Sequence, residues 1–195
     1  MPTSGVYRPT STGTQEWEHG GYANVDSGTY STTSPDISGN QYMQDEDKPG
    51  NTTSQVLSDT ITQDWTVSKV YFVWWRKTES TVSTTRTWEY KIGAGAWTAF
   101  SLSGADSQST STTAAGVWYR RYQDSLSLDI STGIQFRFTA DVGSMYDGEA
   151  SDLYAGVYWY FDYSEDSGEV SIGGAQQSLA YIGSSIILPP WYGIR

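Results

Sequence analysis

The sequence predicts an all-β protein, an antiparallel β-sandwich of jelly-roll-like form preceded by an extended N-terminal arm. Three observations point there. Aromatic residues supply 15% of the chain and Ser, Thr and Gly much of the rest, whereas the unbranched helix formers are scarce or scattered. Aromatic and β-branched side chains fit a pleated, half-buried surface. Many short segments alternate apolar and polar residues with a period of two, the period of a strand. Residues 153–163 go further, with Leu153, Val157, Trp159, Phe161 and Tyr163 in one alternating set and Tyr154, Tyr158 and Tyr160 in the other. Side chains of a strand point to opposite faces, so this segment predicts a strand covered on both sides, one cover being open to another molecule.

Residues 1–50 are read as the arm. Their apolar residues stand far apart (Val6, Tyr7, Trp17, Tyr22, Val25, Tyr30, Ile37, Tyr42, Met43), too few to order the stretch alone. Trp17, Tyr22, Tyr30 and Tyr42 are spaced like anchors, each suited to a shallow pocket on the domain or on a neighbouring subunit. The alternatives are a flexible tail or a chain of short edge strands over the same domain. The charge cluster Asp45-Glu46-Asp47-Lys48 followed by Pro49-Gly50 marks the boundary.

Residues 51–188 are read as the sandwich, with strands at 53–58, 67–77, 85–92, 96–102, 117–123, 126–130, 134–141, 153–163, 170–172 and 179–188. The alternation is cleanest at Ile134, Phe136, Phe138 and Ala140 against Gln135, Arg137, Thr139 and Asp141. Gly93-Ala94-Gly95 predicts a hairpin joining 88–92 to 96–102, with Trp97 stacking across it. An immunoglobulin-like arrangement is the competing topology, and without Cys its Cys-Trp-Cys pattern has nothing to show. Residues 189–195 form an apolar tail, in which Trp191, Tyr192 and Ile194 need cover, from a subunit contact or as a clasp over the chain's own sandwich, and Pro189-Pro190 stiffens the approach.

Charge and residue inventory exclude several classes. With 22 acidic against 11 basic residues the formal charge is -11, which disfavours nucleic acid and anionic membranes. The start of the chain has no basic, apolar signal-like run, so synthesis in a host cytoplasm is expected. His19 is the one histidine, set between Glu18 and Gly20 in the arm, so neither a Ser-His-Asp triad nor a zinc ligand set is available. No catalytic residue, metal or cofactor is assigned.

Three constellations nonetheless resemble chemical or binding sites. A glycosidase needs two carboxylates. Glu89 is the first candidate, with Glu169, Asp162 or Asp141 as its partner and a solvated charge beside Lys91 or Arg86 as the plainer reading. Size and composition are similar to the family-eleven xylanases, but the sequence blocks around their catalytic glutamates are missing. Asp141, Asp147, Glu149 and Asp152, close to Gly143 and Gly148, suggest a calcium loop without the alternation of a dedicated one. Nine Trp and fifteen Tyr also suit stacking on sugar rings, with core burial as the alternative.

Trp17 and the stretch Tyr22-Ala23-Asn24-Val25-Asp26-Ser27-Gly28-Thr29-Tyr30-Ser31-Thr32 resemble an opening found in virion proteins of tailed bacteriophages: a Trp, an Asn-rich turn, then Asp-x-Gly-x-Tyr. Leu57-Ser58-Asp59-Thr60, residues 67–71 and the 90–97 hairpin are similar to the sandwich that follows in those proteins, so the resemblance spans 17–163. The chain lacks their Asn-Pro before the acidic turn, which leaves the place in the virion open. The resemblance implies a non-enzymatic structural protein, a capsid decoration or cement protein whose arm and tail lace neighbouring shell subunits. Capsid or other virion subunits are the expected partners, in a homo-oligomer. A carbohydrate-binding sandwich of a head or tail fibre, with a glycan as partner, is the alternative, and a jelly-roll glycosidase the third. On this reading, removing residues 1–50 leaves a folded sandwich that no longer joins its particle.

Overall fold

A computed structural model describes residues 1–16, 19–20, 23, 35, 42–44, 50–77, 84–109, 116–145, 152–165, 170–172, 175–177, 180–182 and 185–187 of the chain. It divides into two compact units, Met1–Ser164 and Glu165–Arg195.

The first unit is built from two antiparallel sheets and, among the described residues, no helix. The five-stranded sheet runs β1 (Pro9–Gln15), β4 (Gly50–Ser58), β11 (Ile134–Met145), β6 (Thr84–Ile92), β7 (Thr98–Ala99) from edge to edge. The seven-stranded sheet runs β2 (His19–Gly20), β3 (Met43–Gln44), β12 (Leu153–Glu165), β5 (Trp65–Lys77), β9 (Gly116–Gln123), β8 (Ser103–Ser109), with β10 (Leu128–Asp129) also pairing β5. The long strands β4, β5, β6, β9, β11 and β12 pass alternately from one sheet to the other, so most ladder partners are distant in sequence.

Alternation dictates which face each strand buries. On β11, Ile134, Phe136, Phe138, Ala140 and Val142 are fully buried, while Gln135, Arg137, Thr139 and Asp141 point the other way. Facing them from the seven-stranded sheet are Val70, Phe72 and Trp74 of β5 and Val157, Trp159 and Phe161 of β12. Rings join the two layers: Phe136 stacks on Trp159 at 5.7 Å between centroids, Phe72 meets Trp88 at 5.0 Å, and Trp88 stands edge-on to Trp159 at 6.1 Å. These separations and tilts are the ones the ring quadrupole favours.

The two-sided strand at 153–163 is present as β12, with different sets. Gly156 has φ +59, and the alternation slips by one residue there. Tyr154 therefore joins Val157, Trp159 and Phe161 in the main core, while Leu153 falls on the opposite face with Ala155, Tyr158 and Tyr160. A left-handed residue inside a strand inserts the extra half-step of a bulge. On that opposite face Val73 and Trp75 of β5, Trp118 of β9, Leu153 and Ala155 form a second buried cluster. Two glycines make room for its indoles. A Cβ on Gly116 would lie 1.7 Å from the Trp75 ring, and one on Gly156 would lie 2.5 Å from that of Trp118. Trp75 and Trp118 are buried by this chain alone, so no foreign molecule is needed to cover that part of the face.

The beginning of the chain departs from the expected arm. Residues 2–7 lie antiparallel along β12: Tyr7 and Trp159 exchange both backbone hydrogen bonds at 2.8 Å, and Ser4 N–H donates to the Phe161 carbonyl at 2.8 Å. The Tyr7 ring stacks on Phe161 at 5.4 Å with planes 5° apart. The chain then crosses to the other sheet as β1, paired with β4 from Pro9↔Ser58 to Gln15↔Ser54. One extended segment thus closes an edge of both layers, which corrects the reading of residues 1–16 as a lace for neighbours. Short edge strands over the same domain was the alternative that fits them. The physical reason is that an unpaired β12 edge beside Trp159 and Phe161 would leave backbone donors and acceptors open next to the core.

Other boundaries moved less. The Gly93-Ala94-Gly95 hairpin is present, although β7 keeps only two residues of the expected 96–102. β8 was not anticipated, its sequence Ser-Gly-Ala-Asp-Ser-Gln-Ser having no apolar alternation.

In the second unit the expected strand 179–188 is a hairpin, β15 (Ala180–Ile182) with β16 (Ser185–Ile187), preceded by another, β13 (Val170–Ile172) with β14 (Ala175–Gln177). Each is a two-stranded sheet of its own.

Candidate functional site

Of the residues singled out for partner binding, Trp17, Tyr22, Tyr30, Trp191, Tyr192 and Ile194 lie outside the described residues. Tyr42 is half-buried and packs against the second cluster, within its own chain.

The structure instead assembles a face of four tyrosines on the outer side of the seven-stranded sheet. Tyr71 lies between core residues Val70 and Phe72 on β5 and so points outward, and the register sets it opposite Tyr122 of β9. Tyr158 and Tyr160 follow from β12 beyond the Gly156 slip. All four are half-buried. Tyr71 stacks on Tyr160 with centroids 4.5 Å apart and planes 9° apart, Tyr71 meets Tyr122 at 6.1 Å, and Tyr158 stacks on Tyr160 at 6.3 Å. Cations close the two ends of the row. Lys69 Nζ stands 3.8 Å above the Tyr122 ring and 4.8 Å above Tyr71, and the Arg8 guanidinium 5.2 Å above Tyr158. A cation over a ring face is held by the quadrupole and keeps that face from other ligands.

Polar contacts fix the row. Tyr71 OH donates to Asp162 Oδ2 at 3.0 Å, and Asp162 Oδ1 accepts from the Thr3 hydroxyl at 2.8 Å, so the N-terminal segment also steadies this face. Burial, then the Asp162 hydrogen bond, raise the Tyr71 pKa against the opposing pull of Lys69. Burial and the neighbouring Tyr160 push Tyr158 up to about 12, against Arg8 and Arg120. Both phenols are therefore protonated across the physiological range. Tyr71 and Tyr158 thus present neutral phenol edges, and cations stand at the two ends of the row.

The other constellations are dispersed or engaged internally. Glu89 lies on the outer face of the five-stranded sheet, where its Oε2 accepts from Arg137 Nε at 2.7 Å. The same guanidinium lies 4.3 Å from the Trp97 ring, and Lys91 of the opposite hairpin strand lies 5.0 Å from it, so Trp97 does stack across the hairpin, with a cation as its partner there. Asp162 belongs to the other sheet, so the core separates it from Glu89, and Glu169 lies outside the described residues. In the expected calcium loop, Asp152 is buried in an ion pair with Arg76 at 2.8 Å and accepts from Tyr154 OH at 3.2 Å. Burial pushes the Tyr154 phenol well above its ordinary range. Asp141 accepts from the Thr53 hydroxyl at 3.0 Å, and Asp147 and Glu149 lie outside the described residues. His19 belongs to β2, where its backbone pairs with Gln44.

Strict alternation groups Tyr158 and Tyr160 with Tyr154, which in fact faces the core, and adds neither Tyr71 nor Tyr122. A tyrosine between apolar residues, as in Val70-Tyr71-Phe72, was the available signal. Its partner across the ladder depends on register, which local pattern does not carry. Comparison with known proteins adds no constraint: no protein-family model, curated protein or solved structure matches this chain.

Proposed function

We propose that this protein is a non-enzymatic structural component of a virion, a decoration or cement protein that docks on shell subunits through the tyrosine face. The observation carrying the reading is the packed row Tyr122, Tyr71, Tyr160, Tyr158, held on three adjacent strands and capped by Lys69 and Arg8. Tyrosines that are already ordered lose little entropy on docking, and such residues are enriched in protein interfaces. The sequence resemblance to phage virion sandwiches supplies the biological setting. Residues 1–16 are committed to their own sandwich, so docking is assigned to the sheet face and not to that segment.

A sugar-binding sandwich fits this face less well. Pyranose rings stack on open aromatic faces, and here the faces are taken by neighbouring rings and cations. The described carboxylates also favour a structural reading, since Glu89, Asp141, Asp152 and Asp162 each accept from an internal donor.

The test is binding of the purified protein to shells of its own particle assembled without it. Saturable attachment at a fixed copy number is expected, with slower shell disruption on heating. The double variant Tyr71→Ala/Tyr160→Ala should bind about tenfold more weakly or worse, by analogy with interface hot spots. Shells that ignore the protein, or bind the variant equally well, would refute the proposal. Glycan binding abolished by the same pair would transfer the face to carbohydrate recognition.

A further inference from the structure

The two hairpins of the second unit repeat. Each strand recurs ten residues on, from Val170–Ile172 to Ala180–Ile182 and from Ala175–Gln177 to Ser185–Ile187. The registers are equivalent as well, with Ile172↔Ala175 matching Ile182↔Ser185 and Val170↔Gln177 matching Ala180↔Ile187. Residue types recur at the connection, Ile172-Gly173-Gly174-Ala175 against Ile182-Gly183-Ser184-Ser185. Two-residue connections containing glycine are those that reverse a strand tightly.

Three residue pairs do not make a hairpin stable in water by themselves; a two-stranded ribbon needs a third strand or an apolar surface. Among the described residues of this unit, no ladder joins the two hairpins to each other. Yet the segment is rich in groups that seek cover: Val170, Ile172, Leu179, Tyr181, Ile182, Ile186, Ile187 and Leu188. Stacked repeats bury such groups only when three or more units stand in a row, because a single unit cannot hide its own apolar side. This chain has two.

Charge identifies what supplies the rest. The chain carries -11 overall, so copies repel across most of their surface. Between Glu169 and Arg195 there is no charged residue at all, which makes this the stretch where like chains can meet without that penalty. A surface that accepts one ten-residue unit accepts the equivalent unit of the next chain.

We propose that residues 170–187 are a homotypic assembly segment, in which the paired hairpins of several copies of this chain stack into one β-structure. The proposal goes beyond the docking reading and is independent of it.

The experiment is the mass of the full-length protein by sedimentation equilibrium and light scattering. A stable multiple of 21.5 kDa is expected, kept on dilution to low micromolar concentration. The variant Ile172→Asp/Ile182→Asp should fall to the single-chain mass while its sandwich melts as before. A milder variant, Ser171→Glu/Gln176→Glu, places two like charges on directly paired positions and should also lower the mass, which covers the case where the first is insoluble. A wild-type chain of single mass, or variants that stay assembled, would overturn the proposal. So would a single chain whose hairpin amides resist hydrogen exchange, since the hairpins would then be covered by their own protein. No shell is present, so a failure here leaves the tyrosine face untested by it, and failure to bind shells leaves this proposal standing.

Discussion

Gly156 shows how much of this fold hangs on one backbone angle. Its φ of +59 costs little for glycine and is strained for any other residue, and the Trp118 ring occupies the space a side chain would take. Gly156→Ala should therefore cost roughly 2–4 kcal/mol, adding left-handed strain to a core clash. Denaturant unfolding measures it. A loss below about 0.5 kcal/mol, the range of ordinary surface substitutions, would show that the slip is not fixed there. The tyrosines give a second prediction at this scale. Folding raises the Tyr158 pKa from 10.0 to about 12, so the folded state holds that proton more tightly than the unfolded chain. The associated stability is complete below pH 10 and disappears as pH climbs through about 12. Alkaline unfolding in that window is expected to accompany tyrosinate absorbance, and Tyr158→Phe should shift the transition to higher pH. An unchanged transition in Tyr158→Phe would assign the alkaline lability to other groups.

At the level of the element, the N-terminal segment has the most testable role. Tyr7 both exchanges two backbone hydrogen bonds with Trp159 and lays its ring on Phe161. Tyr7→Ala should lower stability by about 2 kcal/mol, less than a fully buried aromatic would cost. Removal of residues 1–8 should do more, opening the β12 edge beside the core and favouring aggregation. Thermal melting and light scattering would report both, and a truncated chain that melts like the intact one would restore the free-arm reading. What could be read locally also divides by element. β11 and β6 were legible because Phe136, Phe138 and Trp88 alternate with Gln135, Arg137 and Glu89 without interruption. β1 was not, since Pro-Thr-Ser-Thr-Gly-Thr-Gln has no apolar side chain after the buried Pro9, hence nothing to alternate, and is held by backbone pairing to β4. In β12 the strand was evident but its two faces were assigned on strict alternation, which one left-handed glycine cancels. In 179–188 the apolar run hid two short strands, β15 and β16, paired antiparallel with each other. The tyrosine face depended on Tyr71↔Tyr122, a ladder contact between strands that sit far apart in sequence.

For the whole molecule, the balance between repulsion and cohesion sets how copies behave together. The net charge of -11 is spread over a protein whose one long uncharged stretch is 170–194. Repulsion between copies acts through solvent over about 10 Å at 0.1 M salt and only about 3 Å at 1 M, whereas apolar burial between hairpins is not screened at all. Self-association through the hairpins should therefore tighten as salt rises from about 0.02 M to about 0.5 M, with the sandwich itself little affected. Docking on a shell behaves in the opposite way wherever it draws the acidic exterior toward basic groups, because salt weakens attraction between unlike charges. The two associations can thus be separated in one titration. Sedimentation of the free protein should show mass rising or holding with salt, and the Ile172→Asp/Ile182→Asp variant should stay at the single-chain mass throughout. Oligomers that dissociate as salt is added would mean that ion pairs between copies hold them together. The uncharged hairpin segment could not then be the seam, and the charged surfaces of the sandwich would have to supply it.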